Sequence, residues 1–160
     1  MKTLHGITKI ISGGQTGADR AALDFALENN IGTGGYVPQG RVAEDGRIPE
    51  KYQNLVETES VDPAVRTMKN VLASDATVMV SHGELSGGSL LTMQLAKKYK
   101  KPVLHIDISE ISIETAAAKL GEWINRVRPS TLNIAGPRAS EDEDIYDAVT
   151  NLLLSAFSPC

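Results

Sequence analysis

Short apolar runs alternate with segments of helical spacing along the whole chain. The apolar runs are rich in Val, Ile and Leu, which is typical of buried β-strands, and they cover residues 7–12, 35–37, 55–57, 77–81, 103–108 and 132–135. The helical patterns cover residues 18–29, 63–73, 89–100, 113–126 and 145–157. Repeated strand-then-helix order predicts right-handed crossovers. We therefore predict one α/β domain over residues 1–160, in three layers, with a mostly parallel sheet covered by helices on both faces.

The first apolar run ends in a glycine-rich turn, which leads directly into a helical pattern. Such a turn leaves backbone N–H groups unpaired at the positive end of the helix dipole, a setting that suits a phosphate or another oxyanion. The glycine spacing is neither that of a P-loop nor that of the dinucleotide fingerprint. We predict an anion site formed by Gly13, Gly14, Gln15, Thr16 and Gly17. The alternative is a tight connection whose glycines only satisfy backbone geometry.

Two later segments that follow strands carry similar chemistry. The run Ser86-Gly87-Gly88-Ser89 leads into another helical pattern, and Arg138 follows a rigid Gly-Pro step after the last strand. A guanidinium can hold an oxyanion through two parallel hydrogen bonds. Because ligands of open parallel sheets bind at the carboxyl ends of the strands, we expect these residues to share one anionic-ligand site with the first turn.

A long connection, residues 38–49, has little regular periodicity. Loops of this length in compact domains are usually lids or binding loops, or else disordered. This one carries Arg41 and Arg47 beside Glu44 and Asp45. Arg41 is a candidate for neutralising the charge of the ligand, and the alternative is that these four charges only pair with one another at the surface.

Composition limits the classes of function. The formal net charge of −4 argues against a broad nucleic-acid surface. No apolar run is long enough to span a bilayer, and the first residues lack the apolar stretch of a signal peptide, so we expect a cytoplasmic protein that engages no membrane. The single cysteine, Cys160, excludes an intramolecular disulfide. The three histidines, His5, His82 and His105, lack metal-ligand spacing, so we predict no metal site built from protein ligands.

Two carboxylates are candidates for acid–base catalysis. Asp19 follows the first glycine turn by two residues, and Glu84 lies in the segment after the fourth predicted strand. Either could serve as acid or base in N-glycosidic cleavage of a nucleotide. The alternative for Asp19, which we favour, is a first-turn acid that stabilises the helix dipole, and Glu84 is expected to be solvated.

Blocks of residues in order along the chain, at 12–24, 40–41, 43–46, 48–49, 66–67, 70–71, 74–77, 85–88, 101–102 and 132–138, carry a family pattern over nearly its full length. In these blocks the chain resembles the molybdenum cofactor carrier proteins, a branch of the Rossmann-like SLOG nucleotide-binding superfamily that is also similar to the lysine-decarboxylase-like phosphoribohydrolases. This resemblance implies a Rossmann-like domain that binds molybdenum cofactor, a pterin carrying a phosphate and a dithiolene-bound oxo-molybdenum, or a related nucleotide-like anion. It also implies a homo-oligomer, a dimer or tetramer, whose partners could include molybdoenzymes or proteins of cofactor synthesis.

The combined prediction is a carrier that holds a small phosphorylated ligand on two glycine turns and Arg138. Nucleoside-monophosphate N-glycosidase activity and a nucleotide-sensing module remain alternatives, so enzyme activity is left open, with a carrier favoured. Self-association is further suggested by apolar positions in the second and third helical patterns, which exceed what one buried face requires. These positions are Val65, Met68, Leu72, Leu90, Met93 and Leu95.

Overall fold

A computed structural model describes residues 5–157, so Cys160 and residues 1–4 lie outside the described part of the chain. Its strands are β1 Lys9–Ile11, β2 Gly32–Val37, β3 Val42–Ala43, β4 Gly46–Arg47, β5 Leu55–Glu57, β6 Ala76–Ser81, β7 Val103–Asp107 and β8 Thr131–Ala135. Its helices are α1 Ala18–Glu28, α2 Pro63–Ala73, α3 Gly87–Lys98, α4 Ile113–Val127 and α5 Ile145–Phe157. Over these residues, no helix combines the length and apolar character needed to cross a membrane.

Six strands form one sheet in the order β5-β2-β1-β8-β6-β7, and every neighbouring pair is parallel. This confirms the predicted α/β class with a parallel sheet. The chain runs outward from β1 to β2 and β5, and then crosses to the other half of the sheet at β6. Strand β8 returns to lie between β1 and β6. The carboxyl ends of these central strands therefore flank the point where the strand order reverses, which is where open α/β sheets bind ligands.

Helices cover both faces of the sheet, but they bury very different amounts of apolar surface. Helices α1, α4 and α5 pack against one another, and their apolar side chains join those of the sheet in the main core. Helices α2 and α3 pack together and contact the sheet. Each of them has only two buried residues, Asn70 and Val71 on α2 and Thr92 and Ala96 on α3. The α2/α3 layer is therefore thinly packed and leaves room near the sheet.

The segment predicted as a loop over residues 38–49 contains a two-stranded hairpin, in which β3 and β4 pair antiparallel. The strands have two residues each, too few to show alternation in the sequence. The hairpin is tied to the domain by Asp45, which accepts two hydrogen bonds from Arg20, and by the backbone N–H of Glu44, which donates to Gln15 Oε1 at 2.9 Å. The long connection over residues 38–49 is thus ordered and forms a strap beside the first glycine turn.

Two element bounds differ from the prediction in ways that matter for the site. Helix α3 begins at Gly87, two residues earlier than predicted, so both of its glycines lie in the first turn. Glycine is tolerated there because first-turn N–H groups have no intrahelical partner to lose. Strand β2 begins at Gly32 rather than at residue 35, because pairing with β1 includes glycines that carry no apolar signal.

Candidate functional site

A cavity of about 290 Å³ opens at the carboxyl edge of the sheet, at the reversal of strand order. It lies between the turn after β1, the segment after β8, and the N-terminal halves of α2 and α3. The residues that line it are Gly13, Gln15, Asp19, Pro63, Arg66, Thr67, Asn70, Gly87, Gly88, Ser89, Thr92, Asn133, Ala135, Gly136, Arg138 and Glu141. The cavity thus brings together members of all three segments that the sequence singled out.

Most backbone amides of the first glycine turn are already engaged within the protein. Gly14 N donates to Ser12 Oγ at 3.3 Å, Gln15 N donates to Asp19 Oδ2 at 3.2 Å, and Thr16 N donates to Gln15 Oε1 at 3.0 Å. The Asp19 carboxylate therefore takes the place in this turn that a bound oxyanion was expected to take.

Gly14, Thr16 and Gly17 serve the packing of this turn and do not line the cavity. Gly14 has φ +73°, and a Cβ there would lie 2.9 Å from Ile48 Cδ1. Gly17 has φ +80°, and a Cβ there would lie 2.6 Å from the carbonyl oxygen of Pro137. Only glycine allows both the left-handed backbone and these approaches. The Thr16 hydroxyl accepts a hydrogen bond from the segment after β8 at 3.1 Å, which ties the two loops together.

Asp19 is a buried carboxylate that also borders the cavity, with 6% of its surface exposed. Burial raises its pKa from 3.8 to about 6, although the charges of Arg66 and Arg20 and hydrogen bonds from the backbone of Gln15 and Gly13 act in the opposite direction. A carboxyl with a pKa near neutrality is suited to exchanging protons or to hydrogen bonding a ligand, and Asp19 also stands in the first turn of α1, where a carboxylate stabilises the helix dipole.

The second glycine turn presents free amides. Neither Gly87 N nor Gly88 N donates a hydrogen bond to any acceptor within residues 5–157. The Ser86 side chain, which stands at the N-cap, makes no capping hydrogen bond. Gly87, Gly88 and Ser89 border the cavity, so the positive end of a twelve-residue helix opens into it.

Two arginines bring positive charge to the same cavity. Arg66 lies on α2, and its Nη1 donates to the carbonyl oxygen of Gly13 at 2.5 Å. Arg138 is half-exposed, and its Nε lies 3.3 Å from a carboxylate oxygen of Glu141. An exposed ion pair of this kind contributes at most about 1 kcal/mol, so Arg138 can exchange this partner for an anionic ligand.

The structure does not bring Arg41 to the cavity. It is 7% exposed, and its guanidinium donates to the carbonyl oxygens of Ile48, Pro49 and Tyr52 at 2.7–3.2 Å. Arg41 holds the base of the strap together. The other charged residues of the strap do form ion pairs or hydrogen bonds, but with partners such as Arg20 and Glu50 rather than with one another.

Sequence reasoning missed six polar residues of the cavity, including Thr67 and the exposed Glu141. Arg66 and Asn70 lie four residues apart on one face of α2, and Thr92 and Asn133 are buried on α3 and β8. A polar i, i+4 pair on a helix and an asparagine inside an apolar strand were the available signals. Of these, Asn70 is engaged on both sides of its amide, because it accepts from Tyr36 N at 2.7 Å and donates to Tyr36 O at 3.0 Å.

A second cavity, of about 390 Å³, lies beside the first, and Ser89 and Glu141 border both. Ser86 and Glu84 line this second cavity. It is acidic, and His82 Nδ1 lies 2.5 Å from Asp142 Oδ2 within it. The structure therefore separates the two catalytic candidates, with Asp19 in one cavity and Glu84 in the other. Over residues 5–157, no three His, Cys, Asp or Glu side chains are grouped as a metal site.

The chain is similar in sequence and in structure to known proteins. A family model described as the circularly permutated YpsA SLOG family matches residues 10–157. The chain belongs to this SLOG family. The SLOG domain is also similar to a crystal structure, at 1.45 Å resolution, of a protein from Syntrophus aciditrophicus SB named "Putative molybdenum carrier protein". The two are 56% identical with a TM-score of 0.94, and 96% of each chain is covered. No curated protein shows significant similarity to the SLOG domain. The predicted family resemblance and Rossmann-like fold are confirmed.

Proposed function

We propose that this SLOG domain binds a small phosphorylated heterocycle in the 290 Å³ cavity and carries molybdenum cofactor as that ligand. The proposal rests on the groups that meet at the rim of the cavity. Two free amides at the start of α3 and the guanidinium groups of Arg66 and Arg138 meet there, at the switch point of the sheet. The similarity to a protein named as a molybdenum carrier supports the choice of ligand.

The phosphate group is assigned to the N-terminus of α3. The first glycine turn is less suitable, because most of its amides are engaged and the Asp19 carboxylate, which fills it, would repel an anion. At Gly87 and Gly88 the amides are free and the helix dipole favours negative charge. The Glu141 carboxylate, with Oε2 3.9 Å from the position of a Cβ at Gly87, is half-exposed and pairs with Arg138. This arrangement supplies hydrogen bonds and positive charge to a phosphate group.

Two substitutions at Gly88 test how much its backbone amide contributes to phosphate binding. Proline is tolerated in the first turn of a helix and removes only the N–H group there, and a Cβ at Gly88 meets nothing within 4 Å. Gly88→Ala keeps the amide and is the matched control. Because hydrogen bonds to charged groups contribute about 1.5–3 kcal/mol, Gly88→Pro should weaken phosphate-dependent binding by roughly tenfold or more.

The assay is anaerobic incubation with molybdenum cofactor released from a molybdoenzyme, followed by gel filtration and measurement of protein-bound molybdenum and phosphate. The parent and Gly88→Ala proteins should retain both elements in equal amounts, and Gly88→Pro should lose them. If the parent retains neither element, the carrier role is wrong. If Gly88→Pro retains as much as the parent, the phosphate does not bind at α3.

Asp19 favours a second candidate function, N-glycosidic cleavage of a nucleoside monophosphate. Its carboxyl borders the cavity and has a pKa raised to about 6 by burial, which suits a general acid or base at neutral pH. Incubation with adenosine monophosphate distinguishes the two functions. Release of free adenine by the parent, lost in Asp19→Asn, would support the enzyme, whereas recovery of unmodified nucleotide would support the carrier.

A further inference from the structure

The cavity lining offers both hydrogen-bond donors and acceptors. The donors include the Gly87 and Gly88 amides and the two arginines. Two of the acceptors belong to buried residues. Asn133 is 2% exposed, and its Nδ2 donates to Thr77 Oγ1 at 3.2 Å. Its Oδ1 accepts no hydrogen bond from residues 5–157 and is not enclosed by protein atoms, so this amide oxygen is open to a ligand in the cavity that Asn133 lines.

Asp19 adds a second acceptor. Its carboxylate has about four lone-pair positions, and within residues 5–157 the protein donors are the backbone amides of Gln15 and Gly13. The carboxylate can therefore accept further hydrogen bonds from a molecule in the cavity that it lines. A buried acceptor that meets no donor on its ligand is strongly unfavourable, so such groups select against ligands that lack the matching N–H groups.

We propose that Asp19 and Asn133 select a heterocycle that presents adjacent N–H donors, as the 2-amino-oxo edge of guanine or of a pterin does. This inference rests on the proposed function, because the phosphate at α3 sets the orientation of the ligand. A carboxylate can accept two parallel hydrogen bonds from an N–H and a neighbouring amino group. Adenine lacks this edge: its ring nitrogen at the corresponding position is an acceptor and faces the carboxylate unfavourably.

Titration calorimetry with four ligands measures the preference for this donor edge. The ligands are GMP, IMP, AMP and neopterin phosphate. IMP lacks the 2-amino group of GMP and so loses one hydrogen bond to a charged acceptor, which should weaken binding roughly ten- to a hundredfold. AMP should bind more weakly than IMP, and neopterin phosphate should behave like GMP because it has the same donor edge.

Asp19→Asn tests the assignment by reversing the preference. The asparagine amide can donate to the adenine ring nitrogen that faces the parent carboxylate unfavourably, so this variant should bind GMP less tightly and AMP more tightly than the parent does. A role for Asp19 in folding alone would not improve AMP binding. Asn133→Leu should weaken GMP and neopterin phosphate together. The controls are Asp24→Asn, on the same helix but outside the cavity, and Asn125→Leu on exposed α4 surface.

The outcomes separate this inference from the proposed function. Equal affinity for GMP, IMP and AMP in the parent would overturn the inference and leave phosphate binding intact. Retention of molybdenum cofactor with no binding of GMP or neopterin phosphate would also overturn the inference alone. If neither the four ligands nor molybdenum cofactor bind, both the inference and the proposed function are wrong. Preference for GMP and neopterin phosphate, shifted toward AMP by Asp19→Asn, would support both.

Discussion

Replacing Asp19 by asparagine should stabilise the folded protein, and the gain should depend on pH. Burial raises the pKa of this carboxyl from 3.8 to about 6, so at neutral pH the folded state holds a charge that it disfavours. Asparagine resembles the protonated carboxyl and can still accept the hydrogen bond from Gln15 N. A difference of about two pKa units at 1.36 kcal/mol each corresponds to about 3 kcal/mol of unfolding free energy.

The pH range of the effect follows from proton binding. Below about pH 4 Asp19 is protonated in both the folded and the unfolded state, so the parent and variant should be similarly stable. Between about pH 4 and 6 the unfolded state loses its proton first, and the parent therefore loses stability as pH rises. Above about pH 6 the full difference of about 3 kcal/mol is present.

Urea unfolding of both proteins at several pH values between about 4 and 8 measures this difference. Asp45→Asn is a control that should change the unfolding free energy in the opposite direction, because the hydrogen bond from Arg20 lowers the pKa of Asp45. That substitution should reduce stability at neutral pH and lose its effect in acid. A stability difference between Asp19→Asn and the parent that stays constant from pH 4 to 8, or an Asp19→Asn protein that is less stable at pH 8, would refute the reasoning.

Three other predictions concern charge and assembly. Arg138→Ala should weaken binding of the phosphorylated ligand by about 1.5–3 kcal/mol while changing stability by less than about 1 kcal/mol, because its pair with Glu141 is exposed; calorimetry and a thermal melt without ligand test both parts. Arg41→Ala should cost about 2 kcal/mol or more of stability and leave ligand affinity unchanged, with exposed Arg47→Ala as control, because the Arg41 guanidinium serves three carbonyl oxygens. Light scattering should show a species larger than 17.1 kDa that Leu90→Glu reduces, because α2 and α3 expose apolar side chains, and a monomer in the parent would contradict self-association.

The fold could be predicted because its evidence is local. Each strand of the main sheet has an apolar run or pairs with one, and the helices carry apolar positions at helical spacing. The hairpin of β3 and β4 could not be found in this way. Its strands are two residues long, and it is held by contacts to residues far along the chain, such as the pairing of Asp45 with Arg20. Tertiary contacts of this kind leave no periodic signal.

The position of the cavity could be predicted from the sequence, but the hydrogen bonding of its two glycine turns could not. Both glycine turns follow strands of one parallel sheet, so their meeting at the carboxyl edge follows from topology. The difference between the turns depends on Asp19, four residues after Gln15. The Asp19 carboxylate accepts a hydrogen bond from the Gln15 amide, so the first turn holds a buried acceptor instead of leaving this amide free for an anion. At α3 the N-cap Ser86 makes no such hydrogen bond, so the second turn keeps its amides. The two turns look alike in sequence, and they differ in that the Asp19 carboxylate accepts a hydrogen bond from the backbone of the first turn, whereas the Gly87 and Gly88 amides of the second have no acceptor in residues 5–157.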